Sequence, residues 1–442
     1  MIKKLFLFSL IISQLAISCS SEDSPETTPT DETLAEQIAT IMKQPYSKLT
    51  PAEQKVKLEA EANEMLVQLD KTKSSSAIEA IENLNTLLDI SSVDIFNGKN
   101  DNEVEDIINV SGVYGVYTWN NAGQKWDKTA STTELKFVFP AKESQTSNNA
   151  TFSTNSVSSD IKVDLQDSYN WETNVETNDH FFLPTSADAV LTIDSKEAAT
   201  FKQTAKYANG KEVPNEFTYK MTLNDGYTWE MSGSKATENI SKASLTFNGK
   251  NLISFNSGST ANIDGLIDND ELVQYRGKAN GLIQLMDNFV IVADMDLATE
   301  ASEEAALEKS LPKVDYQTKT YFTDINAYQV KLAQGNVANF NKNFKLILVS
   351  KKDGTKIADL VKRAEKGYSY KLMSDIWTVD PSSTYGGYWS YNQNGGTLIQ
   401  YYDENLYLKF SDNTEVEMSA YFSEGFSNFE TKFEDFIKAF EK

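Results

Sequence analysis

One cysteine, one histidine and nine prolines in 442 residues close off several chemistries at once. A lone thiol cannot make a disulfide framework, and a lone imidazole rules out a His/Cys zinc cage or a catalytic group that needs two histidines. Basic residues are scarce as well. The 41 Lys and Arg face 64 Asp and Glu, a formal charge of −23, which excludes an electrostatic grip on nucleic acid. After the first residues no apolar run approaches the roughly 20 residues that a membrane-spanning helix needs. Runs of the types Gly-x-Ser-x-Gly, His-Glu-x-x-His, Gly-x-Gly-x-x-Gly and Gly-x-x-x-x-Gly-Lys-Ser/Thr are also missing, which disfavours the commonest motif-marked enzymes. What is present is a chain 40% hydrophobic and 11% aromatic, enough for two or three globular units.

Residues 1–18 begin with Lys3 and Lys4, continue apolar from Leu5 to Ile17 and end in small residues before Cys19. About 13 apolar residues are too short to span a bilayer, so this is the pattern of a signal peptide. Leu15-Ala16-Ile17-Ser18-Cys19 resembles the lipobox of bacterial lipoproteins. The resemblance implies cleavage before Cys19 and acylation of that residue. The stretch that follows, residues 19–33, is rich in Ser, Thr, Glu and Pro and reads as a disordered tether. With Glu22-Asp23 close behind the cysteine, it is similar to outer-membrane and surface lipoproteins of Bacteroidota. Cleavage would also remove Lys3 and Lys4, leaving 39 basic against 64 acidic residues, or −25. An anionic membrane would repel such a body, so attachment has to come from acyl chains, each buried CH₂ contributing about 0.8 kcal/mol.

The mature chain reads as α+β and mainly antiparallel β. A helical module is expected over 34–95, where Leu34, Ile38 and Ile41, then Leu58, Met65 and Leu69, then Ile81, Leu84 and Leu88 recur at helical spacing. Thr50-Pro51-Ala52-Glu53 and Ser76 with Glu79 look like helix starts. Three helices in a hairpin or small bundle are the expectation. From 111 to 297 the period becomes two, and an antiparallel unit is expected. Leu135, Phe137 and Phe139 form one strand, Ile161, Val163 and Leu165 another. Phe217 to Leu223 and Tyr227 to Met231 form a hairpin turning at Asn224-Asp225-Gly226. A junction helix from Glu300 to Leu311, stopped by Pro312, opens a second α+β unit over 298–442. In that unit Ile357, Leu360, Val361 and Ala364 read as a helix, Val416 and Met418 as a strand, and Phe426, Phe429, Phe433, Phe436 and Phe440 as the buried stripe of a C-terminal helix.

Catalytic residues are not assigned. His180 lies beside Phe181 and Phe182 with no motif partner. Ser159/Lys162 and Ser232/Lys235 match Ser-x-x-Lys outside any helical pattern. Asp264, Asp268, Asp270 and Glu271, and the pair Asp294 and Asp296, lack the spacing of a calcium loop, and no metal or other cofactor is expected. The aromatic supply points elsewhere. Trp377, Tyr385, Tyr388, Trp389 and Tyr391 crowd a Gly-rich stretch, and exposed Trp and Tyr offer flat apolar faces with polar rims suited to sugars or peptides. The expected function is a lipid-anchored protein of the cell envelope, on the outer membrane, acting as a non-catalytic binding or assembly module for a glycan or protein partner. The rivals are an envelope hydrolase using paired carboxylates and a carrier holding an apolar ligand on a curved sheet.

Overall fold

The computed structural model describes residues 33–69, 71, 75–93, 95, 103–170, 175–268 and 276–422. Cys19, its tether, Trp171 and the phenylalanine stripe from Phe426 onward lie outside the described residues.

The three expected helices are present as α1 (Leu34–Met42), α2 (Pro51–Leu69) and α3 (Ser76–Ile90), followed by a short α4 (Val104–Ile108). Two of them begin with reciprocal caps. The Thr33 hydroxyl accepts the Glu36 N–H at 3.3 Å while Glu36 accepts the Thr33 N–H at 2.8 Å, and Thr50 with Glu53 repeats the arrangement. The α3 cap is Ser75 rather than Ser76, its hydroxyl accepting the Ile78 N–H.

The strands follow in near-meander order. First come β1 (Gly115–Asn120), β2 (Lys125–Thr129), β3 (Leu135–Phe139), β4 (Ala150–Asn170), β5 (Val175–Ile193) and β6 (Lys196–Lys206). Next are β7 (Glu216–Leu223), β8 (Tyr227–Ser234), β9 (Asn239–Phe247) and β10 (Lys250–Ser259), then a short α5 (Ile263–Asp268), β11 (Lys278–Leu285) and β12 (Phe289–Asp296). A helical pair, α6 (Leu297–Ser310) and α7 (Tyr321–Asn343), leads to β13 (Phe344–Ser350) and β14 (Thr355–Leu372). The small hairpin β15 (Ile376–Val379) and β16 (Gly387–Ser390), then β17 (Thr397–Lys409), β18 (Glu415–Glu417) and α8 (Met418–Phe422) complete the described chain.

Sixteen strands form one hydrogen-bonded sheet with β18 and β2 at its edges, and β15–β16 pair separately. The fold is therefore α+β and mainly antiparallel as expected, with β1 and β3 paired in parallel, but the strands do not divide into two sheet units. β12 pairs directly with β13, Ile291 opposite Leu348, across the α6–α7 insertion. The helices inserted between them excurse and return without breaking the ladder.

Register explains the core. Phe201, Met221, Trp229, Leu245, Ile253, Leu285 and Phe289 stand opposite one another strand by strand, so one face carries an unbroken apolar row. The neighbouring row on the other face is Lys202, Lys220, Glu230, Ser244, Ser254 and Gln284, which is the wet face. A broad apolar sheet face buries more of a helix than another narrow-striped helix can, and the helices accordingly do not bundle. Leu84 and Leu88 join Phe137, Phe152 and Phe201, and Leu58 joins Leu348 and Leu408; on the opposite face, where Val290 pairs with Gln284, Ile38 of α1 joins Val290, Val292 and Ile347. Each such large side chain contributes about 1.5–3 kcal/mol when fully buried.

The segment 357–364 is strand, not helix. A bulge between Leu348 and Val349 pairs Leu348 with Ala358 and Val349 with Lys356. Ile357, Ala358 and Leu360 are all buried as a result, and the interrupted alternation imitates helical spacing.

The two ends of the sheet differ. Connections at one end are mostly short turns, at 194–195, 224–226, 248–249, 286–288 and 351–354, with the longer 140–149 beside the first of them. At the other end lie the long connections and two ribbons that overshoot their neighbours: β4–β5, which pair out to Asn170 and Val175, and β14–β17, which pair out to Leu372 and Thr397.

Candidate functional site

The β14–β17 ribbon carries the aromatic stretch at its tip. Within the β15–β16 hairpin Trp377 stands opposite Trp389, their rings edge-to-face at 5.0 Å and 72°. Trp389 then packs at 4.8 Å on Phe322 of α7, and its indole N–H donates to the Tyr316 carbonyl at 2.7 Å. Gly387 makes room for this: a Cβ there would sit 2.5 Å from the Thr378 carbonyl and 2.7 Å from the Trp377 ring. The indoles are half-buried and already engaged, so they pin the hairpin to the start of α7.

The hairpin is also held at its base. The Asp375 carboxylate accepts the Asn392 amide at 2.9 Å and the Thr397 hydroxyl at 2.7 Å, and these bonds hold its carboxyl below the usual range, Thr397 contributing most. At the turn Asp380 accepts from the Ser382 N–H and hydroxyl, with the same effect.

Of the residues singled out from sequence, Tyr385, Tyr388 and Tyr391 are exposed, as are their neighbours Ile376 and Val379. A second group adjoins them that lies outside the residues assigned as a site from sequence. Tyr368, Tyr370 and Tyr401, on the paired strands of the ribbon, have ring centroids 5.9–6.3 Å apart and planes within 21–32° of one another. With Tyr402 and Asp403 they line an open depression of about 520 Å³. Gly367 lets Asp403 lie there, since a Cβ at that position would fall 2.3 Å from its carboxylate. Partial burial, and next the charge and hydrogen bond of Tyr401, push the Tyr370 phenol upward. The aromatic chain continues through Tyr316, Tyr321 and Phe322, ring to ring at 5.0 and 5.2 Å. The available signal was the alternation Tyr368, Tyr370 against Tyr401; their shared face became visible only with the register.

The remaining candidates are dispersed. His180 is an exposed residue of β5 beside Phe182. Ser159 and Lys162 lie on β4. Ser232 lies on β8, and Lys235 is spent on Asp264 at 2.9 Å, which lowers that carboxyl. Asp296 caps α6 by accepting the Thr299 N–H at 3.0 Å. Among the described residues no group of three or more His, Cys, Asp or Glu is placed to hold a metal, and no helix is long and apolar enough to cross a membrane. Comparison with protein-family models, curated proteins and solved structures finds no match.

Chemically the site offers phenol faces, phenol hydroxyls and one carboxylate. Such a set stacks and hydrogen-bonds.

Proposed function

We propose that this chain is a lipid-anchored protein of the bacterial cell envelope, held to the outer membrane through acylated Cys19, whose body is a non-catalytic binding module for a glycan or an envelope protein. The observation that carries the binding role is where the exposed apolar surface lies. Of thirteen large apolar or aromatic side chains exposed among the described residues, eight fall between Tyr316 and Leu398: those two with Tyr368, Ile376, Val379, Tyr385, Tyr388 and Tyr391. A concentrated patch of this kind marks an interaction site, and it stands on the end of the scaffold where the long connections are. The anchoring role is supported by the lipobox-like Leu15 to Cys19.

The rivals are less well supported. Of the five residues lining the tyrosine depression one, Asp403, is a carboxylate, whereas glycoside hydrolysis takes two. The apolar sheet face is filled by helices, and the gap between α3, α4 and β7 measures about 20 Å³, room for one water rather than an apolar ligand.

The test has two readings. Cys19→Ala should move the chain from the membrane fraction to the soluble fraction, and unchanged partitioning refutes the anchor. Immobilised chain carrying Tyr385→Ala, Tyr388→Ala and Tyr391→Ala together with Tyr368→Ala should lose capture of envelope glycans or proteins that the native chain retains; undiminished capture refutes the site.

A further inference from the structure

We infer that the ligand of this aromatic end is a neutral glycan and that it lies on Tyr368, Tyr370 and Tyr401 rather than on the tryptophan hairpin; this rests on the binding-module reading above. The indoles are committed to the fold, Trp389 through its N–H to Tyr316 and through Phe322, Trp377 through Trp389 and Gly387. Tyr368 is not so committed, being 69% exposed, and the half-buried Tyr370 and Tyr401 beside it bond to each other. Three near-parallel phenols beside one carboxylate match the two sides of a sugar ring. Its C–H face is apolar and stacks on an aromatic face, while adjacent hydroxyls donate to a carboxylate such as Asp403. The depression is open, which suits an internal stretch of a chain.

Charge selects among glycans. Asp403 lies in the lining and the whole chain carries −23, so uronate, sulfate or phosphate groups are repelled from this surface. A basic peptide would satisfy the same phenols and carboxylate, but its binding would collapse with salt, whereas stacking of a neutral sugar does not.

The experiment uses the full mature chain in detergent micelles, run in affinity gels and by calorimetry against laminarin, galactomannan, hydroxyethyl cellulose, xylan and glycogen, with polygalacturonate, heparin and polylysine as charged probes, at low and high salt. The expected result is retention on at least one neutral polymer with little salt dependence. Tyr368→Ala and Tyr401→Ala should each weaken it about ten-fold or more, and Tyr114→Ala, at an exposed tyrosine outside this surface, should leave it within about two-fold. Retention confined to a charged probe, or on a neutral polymer that survives Tyr368→Ala with Tyr401→Ala, overturns the inference while leaving a binding module. Absence of retention on every probe overturns it too, and crosslinking to envelope proteins through the Tyr385–Tyr391 surface then decides whether the binding role itself falls.

Discussion

The side-chain amide of Asn341 and the backbone of Lys362 close a two-bond ring, Nδ2 donating to the Lys362 carbonyl at 2.9 Å and Oδ1 accepting the Lys362 N–H at 2.8 Å. Pairing of β13 with β14 stops at Leu346 and Leu360, so the amide stands in for the strand that is missing beyond. Asn326, fifteen residues earlier on the same helix, does the same for β17, donating to the Leu398 carbonyl at 2.9 Å and accepting the Gln400 N–H at 3.0 Å. Helix α7 is thereby fastened to both strands of the ribbon that carries the aromatic site.

Replacing Asn341 with Leu strips both partners from part-buried backbone groups, each worth about 1–3 kcal/mol when left unsatisfied. Asn341→Asp keeps the acceptor and loses the donor. Denaturant titration should therefore rank native, Asp and Leu in falling stability. Equal stability of native and Leu forms would show that the ring holds nothing.

Gly387→Ala should damage the hairpin without unfolding the sheet. The added methyl meets the Thr378 carbonyl and the Trp377 ring well inside contact distance, a degree of overpacking that costs about 1–3 kcal/mol. Partial proteolysis should cut within 376–390 sooner than in the native chain while the sheet's amides keep their exchange protection. Uniform loss of protection would mean that the hairpin is not an independent unit.

How much of this could be read from residues alone depends on the range of the signal. The cap at Thr50, and the hairpin from Phe217 to Met231, rest on neighbours two to four positions apart and were legible. α7 was not. Its buried set, Phe322, Ala333, Asn339 and Asn343, is half asparagine, because Asn339 donates to the Glu300 carbonyl of α6 and Asn343 to the Asn339 carbonyl within α7. A sequence scan for apolar stripes passes over such a helix. The single sheet was equally hidden, since nothing before Pro312 announces that β13 returns to pair with β12. The aromatic hairpin was visible as composition. Which of its rings are spent on the fold, and that Tyr368, Tyr370 and Tyr401 adjoin, depends on pairings across roughly 30 residues.

Acid should loosen the same hairpin through Asp375. Its carboxyl is held below the ordinary 3.8 in the folded chain by Thr397 and Asn392. The stability it contributes is therefore present above that value and is lost as pH falls through the lower, folded one. Amide exchange across 376–390 should accelerate at the acid end of the carboxylate range, and Asp375→Asn should already exchange faster at neutral pH with a flatter acid response. If the native and Asn forms show the same pH dependence, some other carboxylate governs the hairpin.

At the alkaline end three phenols act together on the helices that cover the apolar face and on the loop after α1. Tyr46 donates to the Asp359 carboxylate of β14, Tyr227 of β8 to the Gln68 carbonyl of α2, and Tyr421 of α8 to the Pro51 carbonyl at the start of α2, the last at 2.6 Å. Burial, the largest cause in each case, pushes all three above the ordinary 10. A raised phenol contributes stability that is complete below its unfolded value and is lost as pH climbs toward the folded one. Above about pH 10 the unfolded chain gives up these protons first, and the fastenings of α2 weaken. The variant Tyr46→Phe, Tyr227→Phe, Tyr421→Phe keeps the rings and removes the hydroxyls. At neutral pH it should lose about 0.5–1.5 kcal/mol per hydrogen bond, and its stability should change less than that of the native chain as pH climbs past 10. Exchange of the α2 amides against those of β5–β8 measures this directly, and simultaneous release of helix and sheet would show that the phenols are not what joins them.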